Sequence, residues 1–158
     1  MGTHHYAASV LTAILTVTIT ATPTTAAPAE PQASAQHHGI RITRIAFDPP
    51  GNDLPVTNAK LNGEWIRITN HFHSARKITG WKVRDASGHV YKFGTLKLGA
   101  GKSVRLHTGR GTNTKADRYW RLDNYVWNNS GDTAVLKNAA GTVVDRCTYN
   151  GAGSATSC

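Results

Sequence analysis

From Ile40 onward the chain alternates apolar and polar residues in short runs broken by Gly, Asn and Asp. IRITRIAF (40–47), EWIRIT (64–69), GWKVRD (80–85), HVYKF (89–93), KSVRLHT (102–108), TAVLKN (133–138) and TVVDRCTY (142–149) carry the two-residue period and β-branched content of strands. No run of comparable length has helical spacing. Two of the gaps, Asp85-Ala86-Ser87-Gly88 and Asn138-Ala139-Ala140-Gly141, place Gly where a hairpin turn needs positive φ. Strands at this spacing predict a small all-β sandwich or barrel of about seven to nine strands. Alternation points Ile66, Ile68, Trp81, Val83, Val104 and Leu106 inward. It leaves Arg67, Lys82, Arg84, Arg105 and His107 on an outer face that is basic. The longest irregular stretch, GRGTNTKADRYWRLDN (109–124), reads as a polar loop with Tyr119 and Trp120 near its end.

The segment before Ile40 does not share this pattern. Residues 7–20, AASVLTAILTVTIT, form an apolar run of signal-peptide length, too short and Thr-rich for a membrane span. Small residues offer cleavage sites at Ala26, Ala27, Ala29 and Ala35, so residues 1–27 are expected to be an export signal cut somewhere in 26–35. Residues 28–38 read as a Pro/Ala/Gln linker without side chains large enough to pack. That leaves one domain over 39–150, a short tail over 151–158, and no integral membrane segment after processing. Cys147 and Cys158 are the two cysteines, and an exported chain meets an oxidising space in which a disulfide persists. Such a bridge would tie the tail to the last strand; two free thiols or a bridge to another chain are the alternatives.

Charge changes the picture further. Lys and Arg number 18 against 9 acidic residues, and none precedes Arg41, so the positive charge belongs to the folded part. A net charge of +9 favours polyanions such as nucleic acid or wall polymers, and confers association rate and non-specific affinity rather than specificity. Arg67, Lys82, Arg84, Arg105, Arg110, Lys115 and Arg118, with Trp120 among them, are the candidate binding residues. Aromatics between cations suit stacking on bases or sugars.

Motifs for chemistry are sparse. LGAGKSV (98–104) ends like a phosphate-binding loop, but Leu96 stands where the first Gly belongs and VRLHT alternates as a strand. His71 and His73 could ligate a metal at i, i+2, yet no Cys, Asp or Glu nearby completes the shell. No metal site and no cofactor are expected. In YVWNNSGDTAVL (125–136), Ser130 and Asp132 flank Gly131 and could join His107 in a hydrolytic triad. The stretch is also ordinary turn composition, with Trp127 as a core anchor, Gly131 able to take positive φ, and Asn128, Asn129 and Asp132 bonding their own backbone. Asn128-Asn129-Ser130 is also a formal glycosylation sequon.

Taken together, NGEWIRITN (62–70), ITGWKVRDASGHVYKF (78–93), LKLGAGKSVRLHTGRGTNT (96–114) and VWNNSGDTAVLKNAAGTVVDRCTY (126–149) resemble the lamin tail domain in order and spacing, across residues 40–150. The resemblance implies an immunoglobulin-like β-sandwich. In it Trp81, the turn before Val104, Trp127 and the turn holding Gly131 and Asp132 occupy structural rather than catalytic positions. No heptad segment is present, so filament assembly does not carry over. Bacterial copies occur in exported proteins as adhesion, anchoring or binding modules. The expectation is therefore a monomeric, non-enzymatic binding module at or outside the cell surface, for an anionic polymer or a protein partner. A small secreted hydrolase or nuclease-associated domain is the alternative.

Overall fold

The computed structural model describes residues 1–2 and 38–158. Apart from its first two residues the expected export signal, and all but the last residue of the linker, lie outside the described residues. Two sheets face each other across one core. The first has the order β11-β1-β2-β7-β8 and the second β10-β9-β4-β5, with a two-stranded ribbon, β3-β6, beside them. The strands are β1 Ile40–Ala46, β2 Trp65–Asn70, β3 Arg76–Lys77, β4 Lys82–Arg84, β5 Val90–Lys92, β6 Lys97–Leu98, β7 Ser103–His107, β8 Asp117–Tyr119, β9 Asp132–Lys137, β10 Val143–Tyr149 and β11 Ala155–Ser157. This is the expected immunoglobulin-like sandwich.

The seven strands read from alternation are all present, and β4-β5 and β9-β10 are the two expected hairpins. Four further strands, β3, β6, β8 and β11, are two or three residues long, too short to show a period. One helix also forms, α1 at Asn58–Gly63, opened by the Thr57 side chain accepting from the Lys60 amide. At six residues it too is below the length at which helical spacing is legible.

Alternation places the core as expected. Ile42, Ile45, Ile66, Ile68, Val104 and Leu106 from the first sheet meet Val83, Ala134, Leu136 and Cys147 from the second. Trp127 is fully buried, as the turn reading requires, whereas Trp81 is only half-buried against the core's margin.

The edge where β1 meets β10 is closed by two devices. A bulge in β1 between Ile42 and Arg44 interrupts its ladder with β2. The Asp145 carboxylate from β10 accepts the Ile42 amide at 2.8 Å and the Arg41 guanidinium at 3.1 Å. The second device is the Cys147–Cys158 disulfide. The tail is thus tied to the last strand, but it also becomes β11 and pairs with β1, so the bridge staples one sheet to the other. With a sequence separation of 11, the bridge should contribute about 2 to 3 kcal/mol. Cys158→Ser is expected to lose that amount in denaturant unfolding. It should also speed hydrogen exchange at the Phe47 and Asp48 amides, which both donate to Ser154.

Candidate functional site

Outward residues of β1, β2 and β7 line up across the first sheet. The register pairs Arg44 with Arg67 and Arg67 with Arg105, so three guanidinium side chains stand on strands about 4.8 Å apart. Beyond Arg105 the row ends at Asp117 of β8. That carboxylate is engaged by His107 Nε2 at 3.0 Å. Among the described residues, the ion pairs are Arg41–Asp145, His89–Asp85 and His107–Asp117. The three arginines of the row therefore lack a carboxylate partner there. Like charges directly opposite one another on a sheet are mutually destabilising, so an anion laid across the row relieves the repulsion.

The rows on either side complete the face. On one side Thr43, Thr69 and Ser103 form a chain of hydroxyls, each contact 2.8 Å, and Arg67 Nε donates to Thr43 at 3.0 Å. On the other side Trp65 lies beneath the Arg105 guanidinium, 5.0 Å from ring centroid to Cζ, and His107 stacks on Tyr119 at 5.1 Å. A guanidinium attracted to the face of an indole keeps N–H groups available for an incoming oxygen. Both ring nitrogens of His107 face acceptors, the Asn62 carbonyl and the Asp117 carboxylate.

The face continues past its edge. A depression of about 370 Å³ at Arg67, Arg105 and Asp117 shares Ser103 and Ala116 with a second of about 510 Å³. The second is lined by Lys97, Lys102 and Lys115, so with Arg67 and Arg105 five cations border the two adjoining depressions. Ser103 opens strand β7 and the preceding Gly101 and Lys102 amides bond Asn70 O and Gly99 O. This stretch is a turn into a strand, not a phosphate-binding loop leading into a helix.

The structure divides the expected binding set. Arg67 and Arg105 belong to the arginine row and Lys115 to the second depression. Arg110 is exposed beside α1, where its backbone is bonded by Asn58 and Asn62. Lys82 and Arg84 lie on the opposite sheet, and Lys82 sits between Lys92 and Lys137 in a separate lysine row. The single basic face inferred from alternation is thus two faces on opposite sides of the sandwich, because alternation tells in from out but not which sheet a strand joins.

Two candidates turn inward. Arg118 is buried in β8, donating to Thr95 O and Asp117 O, because β8 pairs in parallel with β7 and sets the side chain against the core. Trp120 is half-buried, tilted on Tyr91 at 5.9 Å and edge-on to Trp127 at 6.2 Å. It serves packing, and the solvent-facing aromatics of this region are Trp65 and Tyr119. Arg44, which alternation from Ile40 and Ile42 would turn inward, faces out because of the bulge.

The residues of the alternative triad are not assembled. Ser130 is exposed on its turn, His107 is engaged by Asn62 and Asp117, and the Asp132 carboxylate accepts from Ala86, Asn128 and Thr133. His71 and His73 lie in the turn after β2, and no group of three or more His, Cys, Asp or Glu suited to a metal occurs among the described residues. In comparison with known proteins, the family model described as Lamin Tail Domain matches residues 33–151. No curated protein matches the chain.

Proposed function

Because the chain belongs to the lamin tail domain family, we propose that it is a non-enzymatic interaction module working outside the cytoplasm, binding an anionic polymer through the arginine-bearing face of its five-stranded sheet. The observation that carries this reading is the row Arg44–Arg67–Arg105, three cross-strand neighbours without a carboxylate partner among the described residues. Spacing of one strand per cation suits a chain of repeated negative groups, and Trp65 and Tyr119 add apolar plates for whatever joins those groups. Guanidinium groups bind phosphate or carboxylate oxygens in pairs, which the lysine row on the other sheet does not.

Export is supported by the disulfide, since such bonds persist in oxidising compartments. Among the described residues no helix is long and apolar enough to cross a membrane.

The test is salt-dependent binding of a single-stranded oligonucleotide and of poly(glycerol phosphate) by the full chain. Affinity is expected to fall linearly in log–log form between about 50 and 200 mM salt. Changing Arg44, Arg67 and Arg105 together to Gln should lower the slope by about two to three, one counterion per lost phosphate contact. Changing Lys82, Lys92 and Lys137 to Gln should alter it far less. Salt-independent binding, or a larger loss in the lysine variant, would overturn the assignment.

A further inference from the structure

A separate cavity, of about 470 Å³, opens where the two sheets meet at one end of the sandwich. It draws its lining from both: Arg41 at the start of β1, Phe72 and Arg76 from the turn and ribbon after β2, Trp81 ahead of β4, and Asn138 from the β9-β10 hairpin. We propose that this cavity binds an acidic saccharide unit, a pyranose ring carrying a carboxylate. The inference does not rest on the arginine row, which lies on the outer face of a single sheet.

Trp81 motivates the assignment. Strand alternation would send it wholly into the core, yet it is half-buried, packed on the core and lining the cavity. Phe72 has the same position but its ring is covered by the Arg76 guanidinium, 4.1 Å from the centroid. Among the described residues no guanidinium lies over Trp81, which therefore offers an indole plate, beside the His38 ring, that suits the C–H face of a sugar ring.

His38 apart, the polar side chains of the lining, Arg41, Arg76, Lys77 and the Asn138 amide, present donors. Arg41 is engaged by Asp145, whereas Arg76 and the neighbouring Lys77 pair with no carboxylate among the described residues. The Asn138 side-chain oxygen accepts the Thr142 amide, leaving its NH₂ to donate, and the Gly39 carbonyl accepts the His71 amide. A ligand matching this lining is negatively charged, rich in acceptors and apolar on one face. A sugar acid meets all three conditions: its ring on Trp81, its hydroxyl oxygens accepting from Asn138, its carboxylate on Arg76 and Lys77. A nucleobase needs paired donors and acceptors along its edge, and the Asn138 and Gly39 acceptors here are already engaged.

The experiment is calorimetric titration of the full chain with trigalacturonate, maltotriose and adenosine monophosphate at physiological salt. Saturable binding of trigalacturonate is expected, with maltotriose at least about tenfold weaker for want of the charge-assisted bonds. Arg76→Gln and Lys77→Gln, both exposed positions, should each weaken trigalacturonate about tenfold with unfolding unchanged. Trp81→Leu should abolish binding, while Gln at Arg44, Arg67 and Arg105 should leave it intact. Three results would overturn the proposal: no saturable trigalacturonate binding, tighter binding of adenosine monophosphate through the same side chains, or loss of binding only in the arginine-row variant. The last would assign the saccharide to the polymer face instead.

Discussion

Glu64→Ala should remove about 3 to 5 kcal/mol of folding stability, a loss as large as truncating a buried aromatic. The carboxylate is wholly buried at the entrance to β2 and accepts the Trp127 amide at 2.8 Å, the Val126 amide at 3.0 Å and the Thr108 hydroxyl. It therefore fastens the segment carrying the core Trp127 to the first sheet. Truncation leaves two buried N–H groups and a hydroxyl without an acceptor, and water cannot reach them to compensate.

Burial also pushes the Glu64 carboxyl up to about 7, outweighing the three hydrogen bonds that favour its ionised form. A folded-state value above the unfolded one means that the proton is held more tightly in the folded protein. The corresponding stability is fully present below about pH 4.5 and is lost as pH rises through about 7. The difference amounts to about 3 kcal/mol. Glu64→Gln, neutral throughout, should be less stable than the parent near pH 5, because its NH₂ opposes an amide N–H. That gap should narrow by about 2 to 3 kcal/mol towards pH 8. Chemical denaturation of both proteins across this range measures it, and a constant gap would mean that Glu64 is ionised throughout.

Sequence periodicity captures what is local. Ile66, Ile68, Val104 and Leu106 sit where alternation puts them, and Gly88 and Gly141 take the positive φ that their turns require. The arginine row is different, because it exists only through the lateral order β1-β2-β7, which joins residues 44, 67 and 105. Nothing within any one strand states that order. The bulge in β1 did leave a trace: apolar positions run Ile40, Ile42 and then Ile45, a step of three that moves Arg44 outward. Arg118 left none, since a three-residue strand pairing in parallel with β7 is hidden in a loop-like composition. Glu64 was equally silent, a lone acid whose three partners lie some forty to sixty residues further along the chain.

Asp132→Ala is expected to cost about 2 to 4 kcal/mol, and Ser130→Ala less than about 0.5 kcal/mol. Asp132 is buried, and its carboxylate binds the Ala86 amide of the β4-β5 turn at 3.0 Å, its neighbour Thr133, and Asn128 on its own turn. It thereby joins two turns 46 residues apart in sequence. The backbone around it leaves no slack: Gly131 has φ +132, and a Cβ there would stand 2.9 Å from Tyr149 O. A Cβ on Gly151, with φ +81, would stand 2.4 Å from Asn129 O. The Tyr149 hydroxyl closes the same junction by donating to Asn128 O at 2.9 Å. Ser130, by contrast, is exposed at the tip. A hydrolase built on this stretch would show the reverse pattern, with turnover lost in both variants and little change in unfolding. Unfolding curves of the two variants should differ by at least about 1.5 kcal/mol, as a structural carboxylate and a spectator hydroxyl require, and a turnover assay of the parent tests the hydrolase reading.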